Sequence, residues 1–210
     1  MNRPRILLAD DHAIVIDGLR RLLETEFEVV GAVGDGRALL SAAKKLRPDV
    51  ILVDISMPSL NGLEAVRQLK KTDSRAKVIF LTMHLDGSFA AEAMRAGAAG
   101  YLVKHSIAEE LVQAIRQVLE GRHYVSPLIT KDMLGNLLKG PDALARDLTS
   151  REREVMQLVA EGRTSKEIAV LLNISTRTAE FHKYNAMKKL NLRTTAELIQ
   201  HAIKHGLISP

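Results

Sequence analysis

The first 121 residues alternate five short apolar runs with segments in which leucines recur every three and four residues, and few folds accept that alternation. The runs are RILLA (5–9), EVVGAV (28–33), DVILVD (49–54), KVIFLT (77–82) and GYLVK (100–104), separated by segments such as AIVIDGLRRLLETE and GRALLSAAKKL. Unbroken apolar runs read as strands buried on both faces. Five strand–helix repeats predict a parallel sheet with helices on both sides, the doubly wound α/β class. Ligands of such sheets bind at the carboxyl ends of the strands, where the strand order reverses.

Those strand ends are polar. The first run leads into Asp10 and Asp11, the third ends on Asp54, the fourth on Thr82 and the fifth on Lys104. A buried carboxylate costs several kcal/mol unless something pairs with it. Three acids converging around one lysine repel one another, and a divalent cation relieves that repulsion. Oxygen-only ligands suit Mg²⁺, which needs only one or two direct carboxylates. An Asp oxygen in such a pocket is a competent nucleophile toward phosphorus, and Lys104 would offset charge on the transferring oxygens. Taken alone, Asp11 or His12 could simply open the first helix.

At 210 residues and 46% hydrophobic content the chain can bury a core of ordinary size. It holds no cysteine, which excludes disulfides and thiolate metal sites. The apolar run near the N-terminus is too short for a signal peptide or a membrane span, so a cytoplasmic protein without membrane attachment is expected. Residues 1–125 carry 17 Lys+Arg against 16 Asp+Glu, and residues 147–210 carry 10 against 7. The last third is therefore the better candidate to meet a polyanion.

Residues 122–147 break the pattern. Pro127, Gly135, Gly140, Pro141 and Asp142 surround one amphipathic stretch, LITKDMLGNLLKG, which reads as a linker with room for one helix. From 148 to 210 the segments are short and helical. Thr149…Glu152, Thr164…Glu167 and Thr194…Glu197 are capping-box patterns, and Gly162 fits a helix stop, giving four compact helices. Ile168, Leu171 and Leu172 precede a turn at Asn173 and a new helix near Ser175, the spacing of a helix-turn-helix. On that second helix Ala179, His182, Ala186 and Leu190 form a core face. Arg177, Glu180, Phe181, Tyr184 and Lys188 lie opposite, a composition suited to the major groove.

The motifs ADDH, VDISMP.LNG, FLTMH and GYLVK, in this order and spacing, resemble the receiver domain of two-component response regulators over residues 4–121. The resemblance implies a flavodoxin-like, five-stranded parallel sheet in which Asp54 accepts a phosphoryl group. Asp10 and Asp11 would hold Mg²⁺ with Asp54 and the backbone carbonyl of Ser56. Thr82 would be the hydroxyl that follows the phosphoryl group, Lys104 its cationic partner and Tyr101 the rotating aromatic. Ser56 and His84, two residues past Asp54 and Thr82, border this site in receivers and are expected to tune the lifetime of the phosphorylated state.

Residues 148–208 are similar to the LuxR-type DNA-binding domain of NarL/FixJ response regulators. That implies a recognition helix over 175–190, with Lys183, Lys188 and Lys189 near phosphates and Glu180, Phe181 and Tyr184 facing bases. Arg177 belongs to the same DNA-binding face. Ala179 stands where the family usually has Val, and Glu180 where many members have a base. The two resemblances imply a DNA-binding transcription regulator, not an enzyme acting on separate substrates. It would be phosphorylated by a cognate sensor histidine kinase and bind double-stranded DNA as a homodimer. The rival expectation is a phosphorylation-independent regulator or interaction module controlled by a partner protein.

Overall fold

The computed structural model describes residues 3–72, 75–83, 85–138, 148–204 and 207–208. The five apolar runs form β1 (Arg5–Ala9), β2 (Glu28–Val33), β3 (Val50–Asp54), β4 (Lys77–Thr82) and β5 (Gly100–Val103). Between and after them lie α1 (Ala13–Leu23), α2 (Gly36–Leu46), α3 (Gly62–Lys71), α4 (Gly87–Arg95) and α5 (Ile107–Leu119). All strand pairs are parallel, in the order β2-β1-β3-β4-β5. The order reverses at β1 and β3; Asp10 directly follows the first and Asp54 ends the second.

Alternate strand residues feed two cores. Leu7, Ile51, Val53, Val78 and Phe80 pack beneath α2, α3 and α4, while Ile6, Leu8, Leu52, Ile79 and Leu81 pack beneath α1 and α5. Each fully buried Leu or Ile stabilises the fold by about 1.5–3 kcal/mol, which makes the strand register the firmest feature of the domain. Side-chain caps set several helix starts. Asp35 accepts from the amides of Arg37 and Ala38, and Asn61 from that of Glu64.

The sheet has six strands, not the five expected. Tyr124–Val125 form β6, parallel to β5 at the edge of the sheet, with the Tyr124 amide donating to the Ala99 carbonyl at 3.0 Å and the Ser126 amide to the Tyr101 carbonyl at 2.9 Å. Two residues are too few to show any alternation. The Tyr124 hydroxyl and Ser126 Oγ both donate to Glu110 Oε2, at 3.1 and 2.7 Å. Burial and the Glu110 carboxylate push the Tyr124 phenol up to about 12, so it remains a donor.

The helix α6 (Pro127–Leu138) follows and lies on α4. Its approach depends on Gly87, where a Cβ would stand 2.4 Å from the Met133 amide nitrogen and 2.5 Å from the Asp132 carbonyl carbon. Gly87→Ala should therefore lift α6 from α4 at a cost of about 1–3 kcal/mol. Hydrogen exchange would show this as lost protection in residues 129–138 with β1–β4 unchanged. Residues 139–147 of the expected linker lie outside the described residues, as does His84.

The C-terminal unit comprises α7 (Ser150–Ala160), α8 (Ser165–Leu172), α9 (Thr176–Lys189) and α10 (Thr195–Lys204) around a core that includes Val155, Leu158, Ile168, Leu172, Ala186 and Leu198. The capping boxes at Thr149/Glu152 and Thr164/Glu167 are complete. At the third, Thr194 accepts from the Glu197 amide, but the Glu197 carboxylate turns to the Arg193 amide at 2.6 Å. Gly162 takes φ +83°, and the Gly162 and Arg163 amides bond back to Val159 and Leu158, the hydrogen-bond pattern that closes a helix with a left-handed residue.

Candidate functional site

The strand ends converge at the reversal point. Lys104, just past β5, places its ammonium 2.7 Å from Asp10 Oδ2 and 2.8 Å from Asp54 Oδ2. Both carboxylates are buried, at 4% and 5% exposure, while Asp11 is exposed at the rim. Burial raises the Asp54 pKa above the usual carboxylate range despite the lysine. Burial also works against the Lys104 charge, but the Asp54 and Asp10 carboxylates more than offset it and hold its pKa above the ordinary ammonium value.

Thr82 and Tyr101 are both fully buried beside this group, and they hydrogen-bond through their side chains. Burial raises the Tyr101 phenol far above its ordinary value, so it stays neutral. His12 is the residue that opens α1, and its Nδ1 lies 3.1 Å from Asp10 Oδ1 and 2.9 Å from Asp11 Oδ1. The carboxylates of Asp10, Asp11 and Asp54 and the His12 ring offer ligand atoms within 4.8 Å of one another. Asp10 Oδ2 is buried and faces the Lys104 ammonium at 2.7 Å. This oxygen-rich set fits a hard divalent cation.

The loop after Asp54 is tightly built. Ser56 is half-buried, Ser59 takes a left-handed φ of +66°, and the Gly62 amide donates to the Ile55 carbonyl at 2.8 Å. A Cβ on Gly62 would fall 1.9 Å from the Asp54 carbonyl oxygen. Only a glycine lets α3 start this close to the end of β3.

On α9, Arg177, Glu180, Phe181, Tyr184, Lys188 and Lys189 are exposed, and Ala179, Ala186 and Leu190 are buried. Phe181 and Tyr184 are 60% and 63% exposed, which is costly for aromatics that meet nothing and apt for a face that meets bases. Two of the lysines expected near phosphates also serve their own domain. Lys183 is half-buried and donates to Thr195 Oγ1 at 3.0 Å, and Lys189 donates to Glu152 Oε2 at 2.8 Å. His182 is half-buried with its ring edge-on to Phe181 at 6.1 Å.

Sequence reading missed Gln157, a fully buried residue of α7 that hydrogen-bonds to Asn61 and Met57 in the loop after Asp54. A single glutamine in an amphipathic helix carries no periodic or motif signal. Among the described residues no helix is long and apolar enough to cross a membrane.

Residues 6–116 match the response regulator receiver domain, and residues 146–202 match the bacterial regulatory proteins of the luxR family. The transcriptional regulatory protein MctR of Rhizobium johnstonii is 38% identical over 208 residues, covering 98% of this chain and 95% of MctR. The response regulator UvrY of Escherichia coli is 36% identical over 206 residues, 96% and 94% of the two chains. Among solved structures, RcsB of Salmonella enterica serovar Typhimurium, bound to promoter P1flhDC in the presence of phosphomimetic BeF₃⁻, superposes with a TM-score of 0.64 at 28% identity over the whole of both chains. With a receiver fold, an acidic pocket at its reversal point and a helix-turn-helix unit behind it, the chain belongs to the NarL/FixJ family of two-component response regulators.

Proposed function

We propose that this chain is a DNA-binding transcription regulator switched by phosphorylation of Asp54. The observation that carries the reading is the placement of Lys104 between Asp10 and Asp54, within ion-pair distance of both. An Asp54 carboxylate oxygen attacks the phosphorus of a phosphohistidine on a cognate sensor histidine kinase, or of a small acyl phosphate. The new O–P bond forms as the bond to the leaving group breaks, and the leaving group keeps that electron pair. Lys104 is placed to meet the negative charge on the transferred oxygens.

Mg²⁺ held by Asp10, Asp11, Asp54 and the Ser56 backbone carbonyl would supply positive charge to the pocket and to the phosphoryl oxygens. Thr82 then turns its hydroxyl to the new phosphoryl group, and Tyr101, already packed against Thr82, follows it. The phosphorylated form binds double-stranded DNA as a homodimer over paired half-sites, with α9 in the major groove. Lys183, Lys188 and Lys189 would serve phosphates, Arg177 shares their DNA-binding face, and Glu180, Phe181 and Tyr184 would face base edges, where Glu180 suits a cytosine amino group. The protein works in the cytoplasm and modifies only itself.

The test is intact-mass measurement after incubation with Mg²⁺ and acetyl phosphate, in parallel with a sizing column. One phosphoryl group should be gained by the wild type, none by Asp54→Ala, and the gain should accompany a shift toward a dimer. No gain from acetyl phosphate or from a panel of kinases, with DNA binding intact, would favour the rival: a regulator governed by a protein partner.

A further inference from the structure

The loop that follows Asp54 is held by the other domain. Gln157 of α7 is fully buried, and its amide uses every donor and acceptor it has. Its Oε1 accepts from the Asn61 backbone nitrogen at 2.8 Å and from Asn61 Nδ2 at 3.1 Å, while its Nε2 donates to the Met57 carbonyl at 2.9 Å and to Glu161 Oε1 at 2.8 Å. One helical turn further on, Glu161 Oε1 also accepts from the Ser59 amide at 3.0 Å. Ser59 is the residue of this loop with positive φ. Backbone groups of Met57, Ser59 and Asn61 thus find their partners on two side chains of the DNA-binding unit. The Met57 carbonyl lies one peptide unit beyond the Ser56 carbonyl.

Other contacts along this seam avoid the loop backbone. Arg37 Nη2 meets Glu154 Oε2 at 3.0 Å, Gln68 Nε2 meets Glu154 Oε1 at 2.8 Å, and Arg153 Nε meets Glu64 Oε2 at 2.6 Å, all between side chains. While the domains are joined in this way, Glu180, Phe181 and Tyr184 of α9 remain exposed. The seam therefore does not cover the face that would read DNA.

We propose that Gln157, assisted by Glu161, is a positioning residue for phosphorylation at Asp54: helix α7 fixes residues 57–61 and so orders the loop carrying the Ser56 carbonyl before cation or phosphoryl donor arrives. The inference rests on the reading of Asp54 as phosphoacceptor. Buried polar groups that are fully hydrogen-bonded rigidify what they touch, and groups that orient a ligand from behind are a major determinant of metal affinity. Linkage makes the coupling reciprocal, because whatever the pocket gains from docking of α7, docking gains from an occupied pocket.

The test uses the full-length chain as wild type, Gln157→Ala, Glu161→Ala and Arg37→Ala. Mg²⁺ is titrated while the ¹⁵N amide resonances of residues 55–62 are followed, and phosphorylation by acetyl phosphate at saturating Mg²⁺ is timed by intact mass. Gln157→Ala should weaken Mg²⁺ binding about tenfold and slow phosphorylation about threefold, with Glu161→Ala smaller in the same direction, the scale set by loss of groups behind a metal ligand. Arg37→Ala, which loosens the seam without touching the loop, should leave both within about twofold on the same scale.

Unchanged or tighter Mg²⁺ binding in Gln157→Ala, faster phosphorylation, or an equal loss in Arg37→Ala would each overturn the proposal. Should Gln157→Ala fail to fold, Glu161→Ala decides in its place. A wild-type chain that takes neither Mg²⁺ nor a phosphoryl group overturns the reading of Asp54 itself, a result distinct from a wild type that reacts normally and variants that match it.

Discussion

Lys104→Ala should lose about 3 kcal/mol of stability at neutral pH without Mg²⁺, the cost of removing one partner from a buried charge pair. The ammonium is within ion-pair distance of Asp10 and Asp54, two buried carboxylates that would otherwise face each other with no cation between them. Because its pKa is raised in the fold, the stabilisation it provides is fully present through the neutral range and is lost only as pH rises through that elevated value. Asp54 has the opposite linkage. Its raised pKa means that its ionised form costs stability above the ordinary carboxylate range. In the variant that cost grows, so the deficit against wild type should shrink as pH falls and Asp54 protonates. Urea denaturation at several pH values checks this, and added Mg²⁺ should restore part of the loss. Phosphorylation from acetyl phosphate should fall about a hundredfold, the usual scale for deleting one group that stabilises transition-state charge. A variant as stable as wild type would mean that the pocket is hydrated enough to hold both charges apart.

Gly62→Ala should be at least as damaging, and the two effects at that site can be weighed. Alanine in place of glycine in a helix ordinarily gains about 1 kcal/mol. Here the added Cβ would stand 1.9 Å from the Asp54 carbonyl oxygen and 3.0 Å from Val53 Cγ2. The nearest obstacle is backbone, which no rotamer change can clear, so either α3 or the end of β3 must move. Overpacking of this kind costs about 1–3 kcal/mol and occasionally more, and the upper end is expected. The displaced residue is the proposed phosphoacceptor, so on that reading the variant should also lose phosphorylation under conditions where it remains folded. Thermal denaturation together with intact mass separates the two losses. A folded, fully reactive Gly62→Ala would show that the start of α3 can shift without carrying Asp54 with it.

The distribution of apolar residues made much of this architecture legible. Runs such as VILVD have no polar alternation, and burial on both faces of a parallel sheet is the arrangement that uses them, so β1–β5 lie within a residue of where periodicity put them. The boxes at Thr149 and Thr164 were readable for the same reason, since a cap is a local hydrogen bond between residues three apart. β6 was not legible: two residues hold too little pattern, and their strand geometry comes from the free edge of β5. At Thr194 the cap formed, but the Glu197 carboxylate turned to Arg193, a choice between near-equal local partners.

The alternation of strands and helices already put Asp10, Asp54, Thr82 and Lys104 on one edge of the sheet, because the carboxyl ends of parallel strands all lie there. Tertiary packing settled how they meet: Lys104 between two buried acids, Tyr101 packed on Thr82, and Asp10 Oδ2 paired with the Lys104 ammonium. It alone decided that Lys183 and Lys189 reach back to Thr195 and Glu152, and that Gln157 closes on the loop after Asp54. Periodicity reports which face of an element is buried. It carries nothing about which distant polar group a buried amide or ammonium will meet, because that depends on how whole helices are set against one another.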